Sequence, residues 1–180
     1  MKGGAPRWAL IAILLLGLAV PAAGIATAAP TQAAASRAAL ETDVLVQLNA
    51  IRSAHDLAPL RRSPALDAAA AQHTSEMLRL GYFDHDSADG TSFDRRIARY
   101  YPFTSRFHRW AVGENLVWAS PELDAAQALR LWMASPPHRR NILDPTWHEI
   151  GIAAIHAAAA PGVYGGHPAT AITTDFGLRS

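Results

Sequence analysis

A change of hydrophobic period sets the strongest limit on what this chain can fold into. Up to about residue 143 the apolar residues recur every three or four positions, and in the C-terminal third they fall in short β-branched runs. The 3–4 spacing signals amphipathic helices, and the first of these is expected over "ETDVLVQLNAIRSAHDL", with Val44, Leu48 and Ile51 on one face. "SPALDAAAAQHTSEMLRLGYF" opens with Ser63 before Pro64 and closes at Gly81, the residue types that start and stop helices. Leu66, Ala70, His73, Met77 and Leu80 share its apolar face, so His73 reads as a hydrogen-bonded core histidine. A short helix is expected around Phe93 and Ile97. Another should start at Ser120-Pro121, with Glu122 and Asp124 in its first turn and Leu123, Leu131 and Trp132 facing inward. A second Ser-Pro, Ser135-Pro136, caps a last short helix carrying His138 and Ile142. "EIGIAAI" and "ATAITTDFG" then read as neighbouring antiparallel strands joined by a Gly/Pro-rich loop. Helices first and strands last predict an α+β arrangement, with helices covering a mostly antiparallel sheet.

The N-terminus carries a different signal. Lys2 and Arg7 precede the apolar run Trp8 to Val20, and Ala26-Thr27-Ala28 offers small residues for cleavage. That order matches a secretory signal peptide over residues 1–28. As a helix the run rises about 20 Å, short of the ~30 Å hydrocarbon core of a bilayer; its retention as an anchor is the alternative. Residues 29–40 read as a linker leading into the first helix, and 41–180 as one domain. With Lys2 and Arg7 set apart from the 16 basic residues, the rest of the chain holds 14 arginines against 15 acidic groups. A near-neutral domain lacks the electrostatic footprint of a nucleic-acid binder. The Arg pairs at 61–62, 95–96 and 139–140 are expected on solvated surface. Cysteine is absent, which fits a bacterial envelope better than a disulfide-stapled secreted domain.

Four short motifs carry the chemistry. "GYFDHDS" places His85 just past a helix end, and "VGENL" places Glu114 in an expected tight turn. "SPPHRRNIL" sets His138 in a first helical turn, and "WHEIGIA" sets Glu149 at a strand start. Two histidines with one or two carboxylates suit two chemistries: a Zn²⁺ site with an open position, or acid–base work by a His–Glu pair. There is no HExxH, C-x-x-C or G-x-S-x-G.

The ordered set "HTSEMLRLGYFDHDSADGTSFDRRI", "GENLVWA", "WMASPPHRRNIL", "WHEIGIA" and "TTDFG" resembles the CAP superfamily, in its cysteine-free bacterial branch. This superfamily groups cysteine-rich secretory proteins, venom antigens and plant pathogenesis-related proteins, and its module is also called the SCP-like extracellular domain. The resemblance runs from about Leu45 to Gly177. It implies a three-layer α–β–α sandwich and a cleft where two His and two acidic residues gather, with metal bound there in some members. By position, His85 and His138 match the two cleft histidines, and Glu114 matches the acid of the "GEN" motif. The fourth position departs. Animal and plant members carry a glutamate three residues after a helical tryptophan, and counting from Trp132 lands on Ser135. Glu149 could replace that acid if it faces the cleft, and otherwise makes a local hydrogen bond or ion pair. The implied metal ligands are His85, His138 and Glu114, with Zn²⁺ or another divalent ion as cofactor.

Three functions follow from this reading. The first is a secreted domain whose cleft binds a divalent metal and an extracellular ligand: a lipid, a small molecule or a protein. The second is a metal-assisted hydrolase of peptide or cell-envelope material, with Glu114 as base and His138 as acid. The third is a structural or partner-binding envelope protein with a vestigial cleft.

Overall fold

The structure is a computed structural model that describes residues 30–180. The signal segment read over residues 1–28 lies outside them. Five α-helices, α1 (Pro30–Ser53), α2 (Pro64–Leu80), α3 (Phe93–Ala98), α4 (Ala125–Ala134) and α5 (Pro136–Leu143), surround four strands. The strands are β1 (Arg61–Arg62), β2 (Trp110–Ala119), β3 (Glu149–Ala157) and β4 (Ala169–Arg179). They form one sheet in the order β1-β3-β4-β2, antiparallel except for the β1–β3 pair. Residues 30–40, read from composition as a linker, are already part of α1; their alanines are the best helix formers available.

The sheet is covered on both faces, giving the expected α–β–α sandwich. On one side Val117, Ile150, Ile152, Ile172 and Phe176 pack with Val44 and Leu48 of α1, Leu129 and Trp132 of α4 and Ile142 of α5. On the other, α2 and α3 bring Leu66, Ala69 and Ile97 against Tyr101 and the strand residues Trp110 and Val112. Gly151 lets α2 lie directly on β3: a Cβ there would sit 2.0 Å from the Leu66 carbonyl carbon. The Thr74 hydroxyl of α2 pairs with that of Thr173 of β4 at 2.7 Å.

Two arginines join elements with hydrogen bonds. Arg52 of α1 is fully buried and donates to the carbonyls of Ala58 at 2.9 Å, Ile142 at 2.8 Å and Asp144 at 2.9 Å. Arg62 reaches Glu41 at 2.7 Å, Asp67 at 2.9 Å and the Ile152 carbonyl at 3.0 Å. The expectation of solvated Arg pairs therefore fails at Arg62 and, as shown below, at Arg96.

Other sequence expectations need correcting. "VGENL" is no turn: Glu114 stands in the middle of the ten-residue strand β2, paired along its length with β4. Helix α4 begins at Ala125 and not at Ser120-Pro121, because the Asp124 side chain accepts from the Gln127 amide at 2.7 Å and caps it there. Leu131 and Leu80 are exposed, each on the outer flank of its helix. Among the described residues no helix is long and apolar enough to cross a membrane.

Candidate functional site

β2 presents alternate side chains to opposite faces, so Val112, Glu114, Leu116 and Trp118 look toward α2 and α3. That places a carboxylate in a buried layer, with its side chain 1% exposed. Both of its oxygens are engaged. Oε1 lies 2.8 Å from Nδ1 of His85, and Oε2 accepts from Nη2 of Arg96, itself 1% exposed, in a buried ion pair.

His85 stands in the loop after α2, and that loop is held from both sides. Gly81 ends α2 at φ +77, the left-handed conformation that glycine adopts without a Cβ penalty. The buried His73 places Nε2 2.9 Å from the Asp84 carbonyl, and Arg96 Nη1 donates to the His85 carbonyl at 2.8 Å. The His85 side chain is 47% exposed and lies 6.2 Å from the Phe93 ring, centroid to centroid. Its hydrogen bond to Glu114 raises its pKa, against the opposing effect of burial. Burial lowers the pKa of His73, in keeping with the core histidine the sequence predicts.

His138 enters from the first turn of α5, where Pro136 follows Ser135. A small amide network locks that helix to β2. Asn115 Nδ2 donates to the His138 carbonyl at 3.1 Å, and Asn141 Nδ2 donates to the Glu114 carbonyl at 3.0 Å. The His138 ring is half-buried, and its pKa is lowered by burial and then by the neighbouring His85. The structure thus joins the side chains of His85 and Glu114 directly and ties the His138 backbone to β2.

It does not bring Glu149 to them. Glu149 accepts from the Tyr101 hydroxyl and lies 3.7 Å from Arg179, whose guanidinium stacks 3.6 Å over the Tyr101 ring. Ser135 sits at the junction of α4 and α5, its amide bonded to the Trp132 carbonyl at 3.1 Å. Asp84 and Asp86 are exposed turn acids, with Asp84 Oδ1 accepting the Asp86 amide at 3.1 Å.

Two site residues escaped the sequence reading. Arg96 was masked by its neighbour Arg95, although its i+3 spacing from Phe93 and adjacency to Ile97 put it on the buried face of α3. Asp175 lies opposite Glu114 in the β2–β4 register and is fully buried. Burial first, and then the Glu114 charge, push its pKa well above the usual carboxylate range.

The donor set expected for a metal fits only in part. Among the described residues no three His, Asp or Glu side chains are grouped to hold an ion. Glu114 has spent its oxygens on Arg96 and His85, which leaves two imidazoles. Among the described residues the Nε2 of His85 makes no hydrogen bond.

An α–β–α sandwich built on one four-stranded sheet is the architecture of SCP domains. Residues 45–165 match the family model for CAP, the cysteine-rich secretory protein family, and the chain belongs to that family. It is similar to the Bacillus subtilis (strain 168) protein YkwD, at 29% identity over 140 residues, covering 77% of this chain and 51% of YkwD. It is also similar to the crystal structure of an extracellular protein containing an SCP domain from Bacillus anthracis str. Ames. There the TM-score is 0.63 and the identity 25%, over 82% of this chain and 43% of that one. An outer surface protein from Borrelia burgdorferi shares the fold, with a TM-score of 0.61 and 16% identity over 77% of this chain and 92% of that one. The chain thus spans about half the length of YkwD and less than half of the B. anthracis protein.

Proposed function

We propose that this protein works outside the cytoplasm as a binding domain, taking its ligand at the cleft between His85 and His138. The observation that carries this reading is the commitment of both Glu114 oxygens, to Arg96 and to His85 at 2.8 Å. A carboxylate so engaged orients an imidazole and fixes its tautomer, as carboxylates behind metal-binding histidines do. It is poorly placed to serve as a general base or a metal ligand, which disfavours the hydrolase. A merely structural role does not account for an exposed imidazole backed by a desolvated ion pair, an arrangement costly to build.

A divalent ion would be held by His85 and His138 and would supply a Lewis-acidic anchor. Two protein donors are one fewer than catalytic zinc sites provide, so the ligand would complete the coordination with its own oxygen or nitrogen. Action outside the cell is supported by two related proteins of known structure, one extracellular and one an outer surface protein. The Lys2 to Ala28 pattern points the same way.

Calorimetry with Zn²⁺ near neutral pH tests the site. The wild type should bind, and the His85→Ala/His138→Ala double variant should not. Glu114→Gln should weaken binding by about 10–100-fold, the usual effect of losing an orienting partner. A folded wild type that takes up no Zn²⁺ would set the metal aside, and binding retained by the double variant would move it elsewhere.

A further inference from the structure

The outer side of α4 and α5 carries a feature that the cleft does not use. On α5, Pro136, Arg139, Arg140 and Leu143 stand at i, i+3, i+4 and i+7 and so form one stripe. It runs on the side of the helix away from Asn141, which bonds β2. On α4, Met133 and Ala134 share a face with Arg130 one turn earlier. The two stripes close on a groove of about 420 Å³, lined by Met133, Ala134, Pro136, Arg139, Arg140 and Leu143.

The groove is apolar below and cationic above. Met133 and Leu143 are half-buried against the core and make its floor. Arg130, Arg139 and Arg140 are exposed, and among the described residues none of their side chains has a hydrogen bond or an ion pair. No Asp or Glu lines the groove among the described residues. Asp144, which follows Leu143, has its Oδ1 on the Thr146 amide at 2.7 Å. The dipole of α5 accounts for a cation in its last turn, which is Arg140 alone. Net charge does not account for the rest, because acids match arginines in number beyond the first residues.

We propose that this groove docks an acidic segment of another protein, with carboxylates on Arg130, Arg139 and Arg140 and an apolar side chain between Met133 and Leu143. A guanidinium presents a planar fork that matches a carboxylate, and three of them here have no partner inside the domain. The floor chooses between anions. A concave site with an apolar base suits a side chain set between two acids. A flat lipid surface would leave that base unfilled, and a bare polyphosphate chain would gain nothing from Met133 and Leu143. The site is separate from the cleft and needs no metal.

Probing an array of random peptides with the protein tests this. The selected sequences should carry Asp or Glu on both sides of an apolar residue. By fluorescence anisotropy, a selected peptide should bind Arg139→Glu/Arg140→Glu at least about tenfold more weakly, since like charges across an interface repel. Binding should also weaken in about 1 M salt, where the screening length is about 3 Å. Glycine in place of the peptide's apolar residue should cost about tenfold or more. If the reversed variant does not fold, Arg139→Gln/Arg140→Gln carries the test with a loss of about twofold or more. The His85→Ala/His138→Ala variant should keep the peptide, and the arginine variants should keep Zn²⁺ binding, so this site and the cleft fail separately. Peptides selected without acids, or binding unchanged in the arginine variants, overturn the proposal. So does binding indifferent to the glycine change. Anionic vesicles or inorganic polyphosphate bound through these arginines, with no peptide selected, overturn it as well.

Discussion

Replacing Arg96 with methionine removes the cation from the buried pair and keeps most of the side-chain volume. Both partners are 1% exposed, so water cannot take over the guanidinium's role without opening the α3–β2 contact. Glu114 would retain only His85 as a partner of opposite sign, and that ring is 47% exposed. Breaking a buried pair by deleting one member costs about 3–5 kcal/mol, because the other is left as an uncompensated charge. At about 2–4 °C per kcal/mol for a domain of this size, melting should fall by roughly 6–20 °C. Thermal and urea melts of Arg96→Met, Glu114→Gln and the double variant form the assay. The two single losses should not add: the double variant removes both charges and should recover about 0.5–3 kcal/mol relative to their sum. The reasoning would be refuted by an Arg96→Met protein within about 1 kcal/mol of wild type, the behaviour of an exposed pair. Additive losses would equally show that the pair does not act as a unit.

Three further outcomes are expected. The hydrogen bond to Glu114 raises the His85 pKa, so its stabilising effect is complete below the unfolded imidazole value of about 6.5 and is lost as pH rises through the folded value. An NMR titration should show the His85 pKa dropping in Glu114→Gln, and no change would separate the two groups. Gly151→Ala drives a methyl to within 2.0 Å of the Leu66 backbone and should cost about 1–3 kcal/mol or more by overpacking, read as a lowered melting temperature. Glu149→Gln should leave Zn²⁺ affinity unchanged by calorimetry, since its contacts are Tyr101 and Arg179; a loss of affinity would return it to the cleft.

What the sequence revealed depended on how local each signal was. The start of α2 at Pro64, its end at Gly81 and the pairing of β3 with β4 rest on residues close in sequence, and all were readable. β2 was not. Its Gly113, Glu114 and Asn115 look like a turn until Trp147, Arg96 and Asn141 are known to cover them. The alternation of Val112, Glu114, Leu116 and Trp118 was the available clue, obscured because one of its members is charged. Arg96 and Asp175 were overlooked for a related reason: each is polar on a face that pattern reading assigns to apolar side chains. His85, Glu114 and His138 were nominated through ordered motifs, since spacing alone cannot relate groups drawn from a loop, a strand and a helix; of these the His85–Glu114 contact is the one seen between side chains. Glu149 shares the sheet face of Asp175 but stands two strands from Glu114, with β4 between them, a displacement invisible without the sheet order.

The buried guanidinium of Arg52 has a consequence for where the protein can fold. It ties α1 to the Ala58 loop and to the end of α5, joining positions about ninety residues apart through carbonyl oxygens. Secreted domains commonly make such ties with paired thiols, which form only under a suitable redox poise and can be exchanged or mispaired. Here the cross-link consists of hydrogen bonds that no reductant cleaves and no oxidase has to install. Maturation of this chain is therefore independent of thiol chemistry, and added dithiothreitol should leave its unfolding curve where it was.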